Sequence, residues 1–144
     1  MPIVGDQVEH EIFVEARPGE VFRYFTDPAL MVRWMGRDAK LDPQAGGGYQ
    51  LEINDQATAA GEYLVVEPPS RVVMSWGWVG SDSVPPGSST VEVTFTATDG
   101  GTRVRLVHRD LPESERGQHD HGWTNFMSRL AIAGAGGDPG PNPF

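Results

Sequence analysis

Histidines at positions 10, 108, 119 and 121 are the side chains of this 144-residue chain best suited to proton or metal chemistry near neutral pH. Two of them lie in "GQHDHGWTNFMSRL", residues 117–130, either side of Asp120. Metal ligands must converge, and the backbone decides whether they can: residues two apart share a face on a strand but are about 200° apart on a helix. Trp123, Phe126, Met127 and Leu130 recur at helical spacing. At about 100° per residue His119 falls within about 40° of Trp123, and His121 falls on the opposite, solvent side. The pair is therefore not expected to hold a metal, and the purified protein is expected to carry no stoichiometric zinc. No cofactor is expected either. Asp120 has Arg116 as its i,i+4 partner on that helix. Gly117 and Gly122 are its weak points, each costing about 1 kcal/mol relative to alanine.

Other catalytic signatures are absent. There is no G-x-S-x-G elbow, and "HEIFV" at 10–14 lacks the second histidine of H-E-x-x-H. Gly46-Gly47-Gly48 precedes a strand rather than a helix, which suits a turn or bulge and not a phosphate cradle. Zero cysteines exclude disulfides, thiolate nucleophiles and thiolate ligands. No catalytic residue is assigned. A net charge of −9 with dispersed arginines repels phosphate backbones, so nucleic acid is not an expected partner. Glu9, Glu11 and Glu15 read as an acidic, solubilising edge. No apolar run approaches the ~20 residues of a membrane span. "MPIVGDQVEHE" has no basic region followed by an apolar stretch, so no secretion signal is expected and the cytoplasm is the expected compartment.

The elements that must position these residues follow from periodicity. "QVEHEIFVEA" alternates, with Val8, His10, Ile12 and Val14 on one face, as a half-buried strand does. Pro18 opens a short helix carrying Val21, Phe22 and Phe25, and Asp27-Pro28 caps a second carrying Leu30, Met31 and Trp34 inward. From "GGGYQLEI" strands separated by turns take over: two around Pro68-Pro69-Ser70, then a hairpin turning at Asp99-Gly100-Gly101. The loop 80–89 is rich in Ser, Gly and Pro and is expected to be irregular and mobile. A long helix from about Pro112 to about Ala133 follows, and residues 134–144 are expected to form a flexible tail. An antiparallel run with one apolar face needs a cover, and only the last helix is long enough. The fold class is α+β, and the chain reads as one domain of residues 1–144 with its core at about 7–133.

The segments "IFVEARPGEVFRYFTDPALMVRWMG", "GGGYQLEI" and "GEYLVVEPPSRVVMSW", with "GW" before an amphipathic helix, together resemble the SRPBCC or START-like superfamily. Within it they are most similar to the branch related to the C-terminal domain of the activator of Hsp90 ATPase (AHSA1-like). That resemblance implies a helix-grip fold: a curved antiparallel sheet of six to seven strands wrapped around a long C-terminal helix, with two short helices after the first strand. It also implies a deep, mostly apolar cavity between sheet and helix. Superfamily members include lipid carriers, polyketide cyclases and co-chaperone domains, so fold alone does not assign function.

Candidate cavity residues are Tyr49, Leu51, Tyr63, Met74, Trp76, Trp78, Val93, Phe95, Leu106 and His108 from the sheet. Phe25 and Trp34 would close one end, and His119, Trp123, Phe126, Met127 and Leu130 would come from the helix. Taken singly, each of these reads first as plain core packing; the collective argument is the concentration of tryptophan, since ligand pockets tend to be aromatic with a few polar anchors. His10, His108, Arg116 and His119 are the candidate anchors. Binding of a small hydrophobic or aromatic molecule is the expected function. A cyclase- or hydratase-type enzyme using His10, His108 or His119 as acid or base is the alternative, and it requires at least two of them at one ligand position. Interaction with an Hsp90-type chaperone is a third reading, which the presence of a single domain weakens. A homodimer is compatible with the sequence.

Overall fold

The computed structural model describes residues 3–5 and 7–144. Alternation of apolar and polar residues produces the first long strand. β2 (Gln7–Val14) follows a two-residue edge strand, β1 (Ile3–Val4). Pro18 starts α1 (Pro18–Phe22), a 3₁₀ turn carries Arg23–Phe25, and α2 (Pro28–Met31) is capped by Asp27, whose carboxylate accepts the Ala29 amide at 2.9 Å. β3 (Asp38–Leu41), β4 (Gly48–Glu52), β5 (Thr58–Glu67), β6 (Arg71–Trp78), β7 (Ser89–Thr98) and β8 (Gly101–Arg109) follow, and α3 (Glu113–Gly134) ends the regular structure. Every pairing is antiparallel, in the order β1-β2-β8-β7-β6-β5-β4-β3. The expected six to seven strands are present as seven of four residues or more, with β1 added at the edge. β3 was not expected. Only four residues long and half of them charged, it is made a strand by pairing with β4 and partial cover of Ala39 and Leu41.

Register stacks the inner face in rows: Val8, His108, Val91, Met74 and Tyr63 lie side by side across five strands. Against them α3 presents His119, Trp123, Phe126, Met127, Leu130 and Ala133, all buried, at the spacing of one helical stripe. Neither Gly117 nor Gly122 interrupts the helix. A β-bulge between Tyr63 and Val65 shifts the alternation of β5, so Val66 rather than Val65 packs on the core. No described helix is long and apolar enough to cross a membrane.

Rings form a continuous chain through this interior. Phe95 meets Phe25 at 5.4 Å between centroids, Phe25 meets Trp34 at 5.0 Å, and Trp34 meets Phe126 at 6.5 Å. Phe126 then meets Trp123 at 6.2 Å, Trp123 meets Trp76 at 5.3 Å, and Trp76 meets Trp78 at 5.6 Å. Three polar tips of the buried aromatics are tied to backbone carbonyls: Tyr49 donates to that of Ser75 and Tyr63 to that of Phe25, each at 2.7 Å, and Trp34 donates to that of Tyr24 at 3.0 Å. Burial raises the pKa of both Tyr49 and Tyr63, so both stay protonated donors.

On the outer face the acidic edge meets the arginines of β8. Arg103 pairs with Glu11 at 2.6 Å and Arg105 with Glu9 at 2.5 Å, while Glu92 accepts from both Arg71 and Arg109. Hydrogen bonds from Arg71 and Arg109 hold the Glu92 carboxyl below its ordinary range.

Two segments outside the regular elements make specific contacts. In the 79–88 loop Val84 is buried, its carbonyl accepts the Trp78 amide at 2.8 Å, and Ser83 donates to Glu115 at 2.8 Å. The glycine- and proline-rich segment after α3 also has hydrogen-bond partners. Arg129 donates to the carbonyls of Pro139, Gly140 and Pro141, and Asn142 donates to that of Ile53 at 2.7 Å.

Candidate functional site

Three elements meet at the N-terminal half of α3. The end of β6 supplies Trp76 and Trp78, the turn between β4 and β5 supplies Ile53, Asn54 and Ala57, and α3 supplies Glu115, Gln118, His119, Gly122, Trp123 and Phe126. With Ser81, His121 and Phe144 they line an open cavity of about 480 Å³. Its floor is aromatic and its rim polar, the usual constitution of a small-molecule site. β6 is held in place from behind: a Cβ on Gly77 would lie 2.0 Å from the Pro85 carbonyl oxygen, so only glycine lets the loop cross there.

Two histidines support the tryptophans of this floor. Trp123 donates its indole N–H to Nδ1 of His108 at 3.0 Å, and Ser89 Oγ lies 2.8 Å from Nε2 of the same ring. An indole only donates, so Nδ1 accepts and the proton of neutral His108 is assigned to Nε2 from the network. Ser89 passes the bond on to the Trp76 carbonyl at 2.9 Å. Trp78 donates to Nε2 of His119 at 3.0 Å, and the Glu115 carbonyl lies 2.7 Å from Nδ1, so neutral His119 carries its proton on Nδ1. The two rings have opposite tautomers and stand 5.2 Å apart, edge to face. Burial lowers the His108 pKa well below its ordinary value, and the neighbouring His119 lowers it further.

One donor in this floor is left over. Trp76 Nε1 is buried and has no hydrogen-bond partner, alone in this among the buried side-chain nitrogens and oxygens of the described residues.

Of the candidate cavity residues, Trp76, Trp78, His119, Trp123 and Phe126 line the cavity. Phe25, Trp34, Tyr49, Leu51, Tyr63, Met74, Val93, Phe95, Leu106, His108, Met127 and Leu130 are buried in the packed core instead. His121 is exposed and stands at the rim with Phe144. The Arg116–Asp120 pair does not form: Arg116 donates to the Leu111 carbonyl at 3.1 Å, and Asp120 pairs with His10 across to β2 at 2.8 Å. A strand-to-helix contact of this kind cannot be read from helical spacing. His10 is thereby directed at Asp120, His108 is sealed behind Trp123, and only His119 of the three candidate acid–base histidines reaches the cavity. Glu115, Gln118 and Gly122 were missed, although Glu115 and Gly122 stand at i−4 and i+3 to His119 and so share its helical face; Gln118, about 100° round the helix, carries no such signal. Phe144 and the 53–57 turn carry no periodic signal. Among the described residues, no group of three or more His, Cys, Asp or Glu side chains converges as a metal site.

A curved antiparallel sheet gripping a C-terminal helix, with two short helices after the first long strand, makes this a helix-grip α+β protein. The chain belongs to the family of activator of Hsp90 ATPase homolog 1-like proteins, whose profile matches residues 15–134. It is 26% identical over 110 residues to the human activator of 90 kDa heat shock protein ATPase homolog 1, a match covering 76% of this chain and 31% of that one. The chain thus spans about a third of the length of the curated relatives it matches. An AHSA1-like protein from Rhizobium etli, solved in solution, is 42% identical with a TM-score of 0.76, covering 96% of this chain and 87% of that one. DynU16, a protein of the dynemicin biosynthetic locus, superimposes with a TM-score of 0.82 at 26% identity, over 96% of this chain and 51% of that one.

Proposed function

We propose that this chain, acting as one domain, binds a small hydrophobic or aromatic molecule in the cavity between β6 and the first half of α3. The observation that carries this reading is the cavity itself. It measures about 480 Å³ and is floored by Trp76, Trp78, Trp123 and Phe126, at the point where sheet and helix part. Small-molecule sites are concave and mostly apolar, with a few polar groups at the rim, and this cleft has that constitution. The likeness to DynU16, a protein of a biosynthetic locus, supports a small-molecule role over a purely structural one.

A thermal-shift screen against lipids, aromatic polyketides and flavonoids tests it. A stabilised melting transition that disappears on Trp123→Ala is the expected result, and no stabiliser across the set would count against the reading. The names of the curated relatives motivate a chaperone assay alongside. Stimulation of an Hsp90-type ATPase by this chain would favour the co-chaperone reading over a ligand carrier.

A further inference from the structure

Beyond α3 the chain turns back on itself. Gly136, at a φ of +91°, and Gly137 donate their amides to the Ala133 and Ile132 carbonyls, a helix end that a residue without a side chain takes most easily. Residues 138–144 then run back along α3. Arg129 donates to the carbonyls of Pro139, Gly140 and Pro141, and nearer the start of the helix the ring of Phe144 packs against Phe126 at 5.0 Å and His121 at 6.5 Å between centroids. The same segment is tied to the opposite side of the cavity: Asn142 donates to the Ile53 carbonyl at 2.7 Å, and Asn54 donates to that of Phe144 at 3.4 Å. Ile53 and Asn54 line the cavity from the β4–β5 turn, Phe126 and His121 line it from α3, and Phe144 lines it as well. Residues 142–144 therefore bridge two of its walls.

The segment is stiff and lightly held. Pro139, Pro141 and Pro143 fix φ at every second residue, so it behaves as a semi-rigid strip. None of its residues is buried, and apart from the ring of Phe144 its anchors are hydrogen bonds near the surface, the kind of element that opens locally. About 480 Å³ of cavity remains with Phe144 in place, so its ring borders the space without filling it. A molecule seated on Trp76, Trp78 and Trp123 would meet that ring as a further aromatic wall.

Resting on the proposed binding role, we propose that residues 138–144 form a retaining strap, which lays Phe144 against the bound molecule between the β4–β5 turn and α3 and slows its departure. Coupling of this kind is reciprocal: a molecule that the strap holds must hold the strap in turn.

N-phenyl-1-naphthylamine, an uncharged aromatic whose emission rises in apolar surroundings, serves as the probe. Its dissociation from the full chain is followed by stopped-flow fluorescence in the parent and three variants. Phe144→Ala removes the wall, whereas Asn142→Ala keeps the ring and removes the anchor on the β4–β5 turn. Phe13→Ala is the control, since Phe13 is 43% exposed against 41% for Phe144 but lies on β2 outside the lining. Dissociation is expected to be about tenfold faster in both strap variants and unchanged in Phe13→Ala. In the parent, saturation with the probe should slow exchange of the Gly140 and Phe144 amides, read by NMR. Equal dissociation rates in all four proteins, with that exchange unaltered by the probe, overturn the strap and leave the binding reading standing. Slower dissociation from Phe144→Ala makes the ring a competitor of the ligand and also overturns it, as does a Phe13→Ala as fast as the strap variants. Binding by none of the four proteins overturns the strap together with the reading it rests on.

Discussion

Trp78 donates its indole N–H to Nε2 of His119 at 3.0 Å, and this bond joins the last residue of β6 to the second turn of α3. It exists only while His119 is neutral with its proton on Nδ1, where the Glu115 carbonyl accepts it at 2.7 Å. His119 is therefore fixed from both sides, and the rim of the cavity is fixed with it. His119→Ala removes both bonds and a buried ring, and should lower unfolding free energy by about 2 kcal/mol in urea titration. His119→Gln can still accept from Trp78 and should recover part of the loss. Equal stability of both variants and the parent would show that the bond contributes nothing.

His108 should make stability depend on pH. Burial, and then His119, lower its folded-state pKa below the ordinary 6.5, so between the two values the unfolded chain binds the proton and the folded chain does not. The contribution is fully present above the unfolded value and is lost as pH falls from 6.5 through the folded value. Unfolding free energies at several pH values below and above 6.5 should decline toward acid more steeply in the parent than in His108→Gln. Parallel profiles for the two proteins would remove His108 as the cause.

How far these arrangements were legible beforehand depended on how local their causes are. The stripe of Trp123, Phe126, Met127 and Leu130 and the strand faces of β7 and β8 follow from periods of about 3.6 and 2, so the gripped helix and the hairpin could be read directly. The capping role of Asp27 before Pro28 is equally local. By contrast the pairing of His10 with Asp120 spans 110 positions and depends on how α3 lies across β2. The bulge at Tyr63/Val65 flips a face that strict alternation assigns the other way. The cavity walls divide similarly. Tryptophan content pointed to the floor, but whether a buried ring packs against atoms or against space is decided by volumes summed over several elements, and no spacing rule contains that.

Close approach of backbone to backbone gives opposite expectations at two glycines. A methyl group on Gly77 would lie 2.0 Å from the Pro85 carbonyl oxygen and 2.3 Å from its carbon, so the loop over β6 would have to move. Gly77→Ala should cost about 2 kcal/mol by overpacking. Gly117 lies inside α3 with nothing within 4 Å of an added methyl, and Gly117→Ala should stabilise by about 0.5–1 kcal/mol through helix propensity. Thermal melts of the two variants should move in opposite directions. A shared direction would mean that one of these local environments is misassigned.

Arg129 holds the segment that follows α3. Its Nε donates to the Trp34 carbonyl at 3.0 Å, while Nη1 and Nη2 reach the carbonyls of Pro139, Pro141 and Gly140 at 3.1, 2.9 and 3.1 Å. A guanidinium presents these donors in one plane, which a lysine ammonium does not, so Arg129→Lys should release the segment almost as fully as Arg129→Ala. Release matters for the cavity because the ring of Phe144, at the end of that segment, packs at a tilt against Phe126 in its wall, with centroids 5.0 Å apart. Backbone amides of residues 138–144 that are protected in the parent should exchange about tenfold faster in either variant, whereas those of β6–β8 should change little. Hydrogen-exchange mass spectrometry resolves the two regions. If Arg129→Lys kept the parent's protection while Arg129→Ala lost it, the planar fork would not be the cause and a single charge would suffice.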